Sequence, residues 1–343
     1  MSVRLLFGGD VAILRDAPEN PFGDLTTHIR NADLAIANLE FALSDRGTAL
    51  RGKIYPHKSP ASVLASLKDA GFNAFNLANN HLLDYGEEPL LDTLDALDGA
   101  GILRFGAGRS LAEAEAPVIV EHGGLRIGLL GVTTTLPTGF AATAEQPGVN
   151  PLRVATAWRA AVSLIEYPGT APVIETNPVA EDLERLVSSI EKLKVRTDLV
   201  LVYVHWGTSM TERVHDFQRK IAEAAIEAGA SAVFGGHQHV VSGVEFIKGR
   251  PVIHGLGNLV FDFEAPFFTD ATRRTLVFTA ELTRDGLTDC RLIPCRTGVN
   301  APVEILTSLV GEGAQIADTV RRLSEPFGTK VTAGARGISI GPG

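Results

Sequence analysis

Apolar segments that alternate with helical patterns are the feature that most restricts how this chain can fold. Runs rich in Val, Ile, Leu and Phe, such as "VRLLFGG" near the N-terminus, alternate with amphipathic stretches through about residue 240. Such alternation is typical of a sheet covered by helices. Beyond residue 240 the apolar runs follow one another directly, as in "RPVIHG" and "RTLVFTAELT", which favours antiparallel hairpins. The sequence therefore predicts an α/β fold in which one sheet packs on a second, more antiparallel sheet.

Two regions depart from this alternation. Residues 136–178 are irregular and contain many prolines and glycines, with one short helical pattern near residues 155–165. We expect them to form a long loop over one face of the molecule. Residues 297–343 hold one further helical pattern and end in "GARGISIGPG", a tail that we expect to be loosely ordered. The prediction is a catalytic domain over residues 1–296 and a C-terminal extension over residues 297–343.

Composition and charge exclude several classes of protein. The 343 residues carry a formal charge of −9 with acidic and basic residues interspersed, which argues against an extended nucleic-acid contact. No segment reaches the roughly 18–20 apolar residues of a membrane span, and the N-terminus has no long apolar run, so we expect a cytoplasmic protein. The cysteines, Cys290 and Cys295, lie five residues apart in a predicted strand. They should face opposite sides and pack in the core.

Polar groups at the ends of predicted strands are the most informative feature for function. A single Asp or His at such a position is usually a helix cap or a structural residue. Here five strands end in this way, and the carboxyl ends of strands in an open α/β sheet are where ligands bind. Carboxylate, amide and imidazole ligands suit one or two divalent ions such as Mn, Fe or Zn. The residues concerned are Asp10, Glu40, Asn80, His81, His205, His237 and His239.

These strand ends also carry motifs of a known family. In order along the chain, the motifs are "GGD", "ANLE", "ANNHLLDYG", "VHWG", "GGHQH" and "GLGNLVFD". With them the chain resembles the CapA family of poly-γ-glutamate capsule biosynthesis proteins, within the calcineurin-like metallophosphoesterase superfamily, from about residue 4 to residue 263. The resemblance implies a four-layer α/β/β/α sandwich of the calcineurin-like metallophosphatase type, with a two-metal site at the strand ends.

The resemblance also implies a metal-binding role for particular residues. Glu40 would bridge the two ions. One ion would be completed by Asn80, His205 and His237, and the other by Asp10 and His239. The wider superfamily has a histidine two residues after the first aspartate, where this chain has Ala12. We therefore expect the second ion to bind weakly or to be absent.

Proton transfer and substrate binding are implied for a further set of residues. His81 matches the acid–base histidine of the superfamily, and Asp84, one turn later, would orient it. Two sequence segments lie near the pocket in this family, "KIYPHKSP" and "IHGLGN", although the first could equally be a solvated loop. The candidates for substrate binding are Lys53, His57, His254 and Asn258.

Three functions remain open at this level. The first is metal-dependent hydrolysis or transfer at a carbonyl or phosphoryl group of a peptide-like or γ-glutamyl substrate. The second is a metal-assisted peptide epimerase, in which His81 and a partner base such as Asp10 exchange a Cα proton, an activity known on the scaffold of this family. The third is a non-catalytic component that binds the polyglutamate polymer. The oligomeric state is left open.

Overall fold

A mixed sheet of ten strands is built around the N-terminal strand. The computed structural model describes residues 2–16, 18–262 and 268–343. Within these residues the first sheet contains β1 (Val3–Ala12), β2 (Leu34–Leu39), β5 (Ala74–Asn76), β6 (Leu103–Phe105), β17 (Asn258–Phe261), β18 (Arg274–Thr283), β19 (Gly286–Gly298), β20 (Ala301–Ile305), β21 (Lys330–Gly334) and β22 (Gly337–Gly341). Strand β1 pairs in parallel with β2 on one side, and on the other with β18 (antiparallel) and β17 (parallel).

A second sheet comes from the middle of the chain. Its six strands are β8 (Val118–His122), β9 (Leu125–Thr133), β13 (Leu199–His205), β14 (Ala232–Gly236), β15 (Val244–Ile247) and β16 (Arg250–Ile253). Strands β9, β13 and β14 are parallel neighbours, so their carboxyl ends meet at one edge. Three small two-stranded sheets are formed by β3 (Ala42–Leu43) with β4 (Lys58–Ser59), β7 (Ala107–Gly108) with β10 (Gly148–Val149), and β11 (Val154–Arg159) with β12 (Val173–Pro178).

The helices lie where the amphipathic patterns predict them, and several of them end at a glycine. In α2, α3 and α6 the residue after the helix is a glycine in the left-handed conformation, which terminates the helix without steric cost. The helices are α1 (Leu25–Asn31), α2 (Val63–Ala70), α3 (Glu87–Ala100), α4 (Leu111–Ala114), α5 (Ala180–Lys194), α6 (Asp216–Ala228), α7 (Asp270–Arg273) and α8 (Gly311–Ser324), with 3₁₀ turns at Val162–Ile165 and Glu325–Phe327.

Three apolar cores give the order of the layers. One core joins the first sheet to α1, α2 and α3, and another joins the second sheet to α5 and α6. The third lies between the two sheets and includes Phe7 of the first and Phe234 of the second, whose rings stack with centroids 4.0 Å apart. The α/β fold is thus confirmed, with the two sheets packed face to face, and the four-layer sandwich that the resemblance implies stays a prediction.

The predicted division between a parallel and an antiparallel sheet is wrong in one respect. The antiparallel strands β18 and β19 do not belong to the second sheet but extend the first. The reason is that Val3–Phe7 of β1 pairs directly with Phe278–Leu282 of β18. Strand pairing between distant segments is fixed by tertiary packing, which local patterns do not report.

The helical pattern near residues 155–165 is also wrong. These residues form β11 and a single 3₁₀ turn, because Val154–Arg159 pairs in antiparallel register with Val173–Pro178. Helix propensity is a weak preference that such a ladder of backbone hydrogen bonds overrides. This segment is called the hairpin arm below, residues 154–178.

The C-terminal tail is ordered, contrary to the expectation. Strands β21 and β22 form a hairpin, and β22 pairs with β19 of the first sheet. The reason lies in the alternation of Ile338 and Ile340, which places both side chains in the core between the sheets. The helix predicted in this region is confirmed as α8. The division of the chain at residue 296 stays a prediction.

The two cysteines lie where their spacing in the sequence predicts. Cys290 and Cys295 are free thiols, and each lies in a different core on opposite sides of β19, as their spacing predicts. In the part of the chain that the structure describes, no helix is both long and apolar enough to cross a bilayer.

Candidate metal centre

Both sheets contribute side chains to one buried site at the carboxyl ends of their strands. Asp10 and Glu40 come from the first sheet, at the end of β1 and directly after β2. His205 is the last residue of β13, and His237 and His239 follow β14. None of these five side chains is more than 8 % exposed. The strand ends that the sequence singled out therefore meet at one place.

Glu40, His205 and His237 form the first of two groups whose ligand atoms lie within 4.8 Å of one another. The Nε2 atom of His205 is 3.3 Å from Glu40 Oε1 and 2.8 Å from Oδ1 of Asn80. Ligands bound at about 2.0–2.2 Å from one ion are separated from each other by about 3 Å. These four side chains, which were predicted together, have the spacing that a single ion requires.

The second group consists of Asp10, Glu40 and His239, so Glu40 is common to both. Both oxygens of Asp10 already accept hydrogen bonds, Oδ1 from the Asn38 amide at 2.8 Å and Oδ2 from the His237 backbone N–H at 2.9 Å. Tyr203 donates a third, to Oδ1, at 3.1 Å. The second group is thus smaller than the first, and its aspartate has fewer lone pairs left for an ion.

The chemistry of the donor atoms fits divalent cations. Both carboxylate oxygens of Glu40 and the Nδ1 atom of His237 are buried without a hydrogen-bond partner among the described residues. Burial, and then the Asp10 carboxylate, raises the pKa of Glu40 well above its ordinary value, so this carboxylate lacks a compensating positive charge. Burial lowers the pKa of His205 to about 4 and also holds that of His237 well below the usual value. Both imidazoles are therefore neutral near pH 7, the form that binds metals.

The position directly before His237 has no room for a side chain, which explains the glycine at residue 236. A Cβ on Gly236 would collide with the Tyr203 hydroxyl and lie 2.6 Å from Asp10 Oδ1. His237 and His239 have φ angles of +90° and +58°, which cost energy for residues other than glycine. The turn aims both imidazoles into the site, and such strain is concentrated at functional sites.

His81 lies beside the ligands in a network of its own. Its Nδ1–H donates to Asp84 Oδ2 at 2.6 Å, and its Nε2 atom is 3.9 Å from Glu40 Oε1. The Lys53 ammonium is 2.5 Å from the other oxygen of Asp84 and donates to the Asn80 carbonyl at 2.8 Å. Burial raises the pKa of Asp84 to about 6, although the lysine opposes the shift. Burial, and then the Lys53 charge, lowers the pKa of His81 well below its usual value.

A cavity of about 300 Å³ opens over this site. His57 stacks on His81 with ring centroids 3.8 Å apart, and its backbone N–H donates to Asp84 at 2.8 Å. Phe261 and Phe268 form an aromatic wall against His239. The cavity is lined by Gly52, Lys53, Ile54, Tyr55, His57, Asn80, His81, Ser209, His237, His239, Phe261 and Phe268.

Two predicted substrate contacts are not brought to this cavity. His254 is fully buried, stacks on Trp206, and its Nε2 is 3.3 Å from Glu245, so a substrate cannot reach it. Asn258 is 1 % exposed and lies behind His239, whose Nδ1 is 2.8 Å from its Oδ1. Asn258 is therefore placed to orient the His239 ring instead of touching a substrate. Lys53 and His57 do line the cavity, and their contact with substrate stays a prediction.

Sequence reasoning missed several residues that support or enclose the site. Asn38 and Tyr203 each lie two positions before a predicted ligand, Glu40 and His205, and so point to the same side of their strands. The spacing of two residues from a predicted ligand could therefore have identified Asn38 and Tyr203 from the sequence. The aromatic wall of Phe261 and Phe268 had no such signal, because apolar residues at these positions are indistinguishable from core residues.

The fold and the site define an α/β protein with a buried carboxylate–imidazole centre suited to divalent cations. A family model described as "Bacterial capsule synthesis protein PGA_cap" matches residues 4–263. The chain belongs to this family of bacterial capsule synthesis proteins.

Curated relatives carry related descriptions. The chain is 29 % identical over 244 residues to the capsule biosynthesis protein CapA of Bacillus anthracis, a match covering 70 % of this chain and 53 % of the relative. It is 32 % identical over 197 residues to the PGA biosynthesis protein CapA of Bacillus subtilis strain 168, covering 57 % of this chain and 44 % of the relative. The matched region spans about half the length of these relatives.

A solved structure agrees at the level of fold. A protein from Staphylococcus aureus that carries the description 5'-nucleotidase superposes with a TM-score of 0.50 at 15 % identity, covering 96 % of this chain and 59 % of that chain. At this identity the likeness concerns the fold alone.

Proposed function

We propose that this protein is a divalent-metal-dependent hydrolase or transferase that acts on a peptide-like substrate. The observation that carries the proposal is the convergence of the predicted ligands with the His81–Asp84 pair at the floor of one cavity. The descriptions of the Bacillus relatives as capsule and PGA biosynthesis proteins favour a γ-glutamyl or related peptide as the substrate class.

The metal ligands in this proposal are the two groups that share Glu40. Asn80, His205 and His237 would hold one ion with it, and Asp10 and His239 the other. Bound divalent ions supply Lewis acidity, which polarises a carbonyl or phosphoryl group toward attack.

His81 has the geometry of the proton-transfer group. Its Nδ1–H is engaged by Asp84, which fixes the ring and leaves Nε2 facing the site as the atom that can accept a proton. Because the lowered pKa keeps the ring neutral near pH 7, Nε2 can take a proton from the attacking water and pass it to the leaving group. Asp84 stabilises the imidazolium formed between these two transfers, as a carboxylate does in comparable histidine pairs.

The charge and the apolar surface of the cavity wall favour one kind of substrate. Lys53 is the sole Lys or Arg among its described lining residues, and Asp84 neutralises its charge. Phe261 and Phe268 supply apolar surface on the opposite wall. This balance suits a peptide with an apolar group beside the reacting bond better than a run of free carboxylates, which would need unpaired cations.

Incubation with candidate peptides in deuterated water, followed by mass spectrometry, tests the proposal. Protein loaded with Mn or Zn is compared with chelator-treated protein, and the peptides include γ-glutamyl and apolar members. Fragments that form only with metal support hydrolysis. A gain of one mass unit without cleavage indicates epimerisation instead. If no peptide changes under any metal, the non-catalytic polymer-binding role is favoured.

A further inference from the structure

The hairpin arm, residues 154–178, exposes an unusual amount of apolar surface. Fourteen large apolar side chains are exposed in the described part of the chain, and half of them lie on this one ribbon. Ile165 and Val162 are 91 % and 84 % exposed. The others on the arm are Trp158, Leu164, Tyr167, Val173 and Ile174. Contiguous apolar surface of this kind marks interaction sites on soluble proteins.

The register of the arm separates an apolar face from a polar one. Trp158 lies directly opposite Ile174, and because alternate residues share a face, Thr156 with Thr176 and Val154 with Pro178 continue the same side. The other side carries the Arg159–Glu175 ion pair at 2.8 Å. The arm is thus a ribbon whose apolar face packs on the core at Val154 and is exposed at Trp158 and Ile174.

One edge of the arm is also free. Strand β12 packs against α6, where Lys220 bonds to Asn177, whereas β11 has its main contacts with β12 alone. The arm forms a separate two-stranded sheet, so the outer edge of β11 is unpaired by any other strand that the structure describes. An unpaired edge beside an apolar face is a template for strand addition.

Area and charge favour a protein partner over a lipid surface. With about 200 Å² for a large apolar side chain, the exposed fractions of the seven side chains amount to roughly 900 Å², which is close to the about 800 Å² per partner in a standard interface. Residues 154–178 contain one cation, Arg159, and two acids, Glu166 and Glu175, and the cation is paired. Binding to anionic lipid requires an excess of cations beside the apolar face.

We infer that the hairpin arm is a dimerisation surface and that a second copy of this chain covers it. A two-fold axis parallel to the plane of the ribbon would stack the apolar face of one arm on the same face of its copy, and because no other described strand lies beside β11, the copy can approach from this side. Such an interface is self-complementary, because each partner presents the same face. It needs neither charge complementarity nor a different partner.

Analytical ultracentrifugation over a concentration series tests this inference. The wild-type chain is expected to be a dimer. The combined variant Trp158→Ser, Ile165→Ser, Ile174→Thr should weaken dimerisation by at least about 100-fold, the usual effect of losing central apolar anchors. Val195→Ser with Leu309→Ser removes exposed apolar side chains elsewhere and should leave the dimer unchanged. Circular dichroism establishes that all variants are folded.

Cross-linking gives a second measurement that does not depend on destabilising the arm. Thr156→Cys lies near the middle of β11 on the same side as Trp158, and the native thiols, Cys290 and Cys295, are buried. Mild oxidation should produce disulfide-linked dimers of Thr156→Cys but not of Val195→Cys. A wild-type chain that stays monomeric at all concentrations would overturn the inference, as would a dimer that survives the triple variant. Flotation of a monomer with vesicles of phosphatidylcholine and phosphatidylglycerol would assign the arm to a membrane surface instead.

Discussion

The candidate metal centre and the hairpin arm both depart from the usual rule that polar residues are exposed and apolar residues are buried. The centre buries polar residues, and the arm exposes apolar ones. At the centre, carboxylates and imidazoles are buried, and neither oxygen of Glu40 has a hydrogen-bond partner among the residues that the structure describes. On the arm, a tryptophan and several aliphatic side chains are exposed. Buried polar groups and exposed apolar patches are the informative exceptions in a folded protein. Each reversal supports one of the two proposals above: cations at the centre, and an apolar protein surface on the arm.

The two regions also differ in how firmly the fold holds them. The centre lies between two large sheets, and Asn38, Tyr203 and Asn258 hold its ligands through buried hydrogen bonds. The arm has two strands and few contacts with the rest of the molecule. Substitutions at the centre should therefore have large effects, whereas those on the arm should affect little besides association.

Removal of one imidazole ligand should have the largest effect. His237→Ala or His205→Ala deletes a ligand that both sheets position around Glu40, and we expect metal affinity to fall by more than the roughly 10–100-fold typical of outer-shell changes. Elemental analysis of protein purified without chelator measures it, with the exposed His122→Ala as the matched control. Full metal content in either ligand variant would show that the centre is assigned wrongly.

Loss of the proton-transfer group should leave the ions in place. His81→Ala is expected to lower turnover by roughly 10²–10⁴-fold with metal content unchanged. Asp84→Asn should lower turnover less, because the ring remains but is no longer held by a carboxylate. Metal loss in His81→Ala would reassign this residue as a ligand, and unchanged turnover would remove it from the mechanism.

Glu40→Gln should change stability in opposite directions with and without metal. In chelator-treated protein the substitution replaces a buried carboxyl group, whose ionised form burial disfavours, by a neutral amide, and we expect the free energy of unfolding to rise by about 1–3 kcal/mol. In metal-loaded protein it removes the shared ligand, so the stabilisation by metal should fall. Urea denaturation in both states measures the two effects.

Glu245→Gln is the matched control for that experiment. Glu245 is also buried, but Arg219 lies 2.7 Å from one oxygen and His254 lies 3.3 Å from the other. Its substitution should lower stability with or without metal, because it leaves partners unsatisfied. If Glu40→Gln behaves in the same way, the buried carboxylate does not depend on a cation.

The two ions should bind unequally. Asp10 already accepts three hydrogen bonds, and Ala12 replaces the histidine that the wider superfamily has. We expect the second ion to bind at least about tenfold more weakly, about 1.4 kcal/mol. Calorimetric titration of metal-free protein with Mn or Zn measures both constants. Two equally tight sites would mean that another residue supplies a ligand.

The sequence could predict the centre better than the arm, for a physical reason. Asp10 and Glu40 lie at the carboxyl ends of neighbouring parallel strands of the first sheet, and His205 and His237 at those of the second, so local pattern implies proximity within each sheet. No such rule tells a helix from a ribbon in residues 155–165, where the pairing with residues 173–178 decides. The order of strands in the first sheet was equally out of reach, because β1 pairs with strands more than 240 residues away. The prediction that His254 contacts a substrate was wrong for a related reason. Its motif places it near the site, but Trp206 stacks on its ring, a tertiary contact that the motif does not report.

Substitutions on the arm should leave the centre unaffected, which is the smallest expected effect and the sharpest test of the comparison. Trp158 is 67 % exposed, so Trp158→Ser removes little buried contact within the chain. At concentrations where the protein is monomeric, its free energy of unfolding should change by less than about 0.5 kcal/mol, as for surface positions in general. Metal content should be the same as in the wild type, because the substituted side chain shares no hydrogen bond with any ligand. Urea denaturation and elemental analysis measure both quantities on one preparation. A monomer destabilised by several kcal/mol, or depleted of metal, would mean that the arm packs on the centre and that the two reversals of polarity belong to a single site.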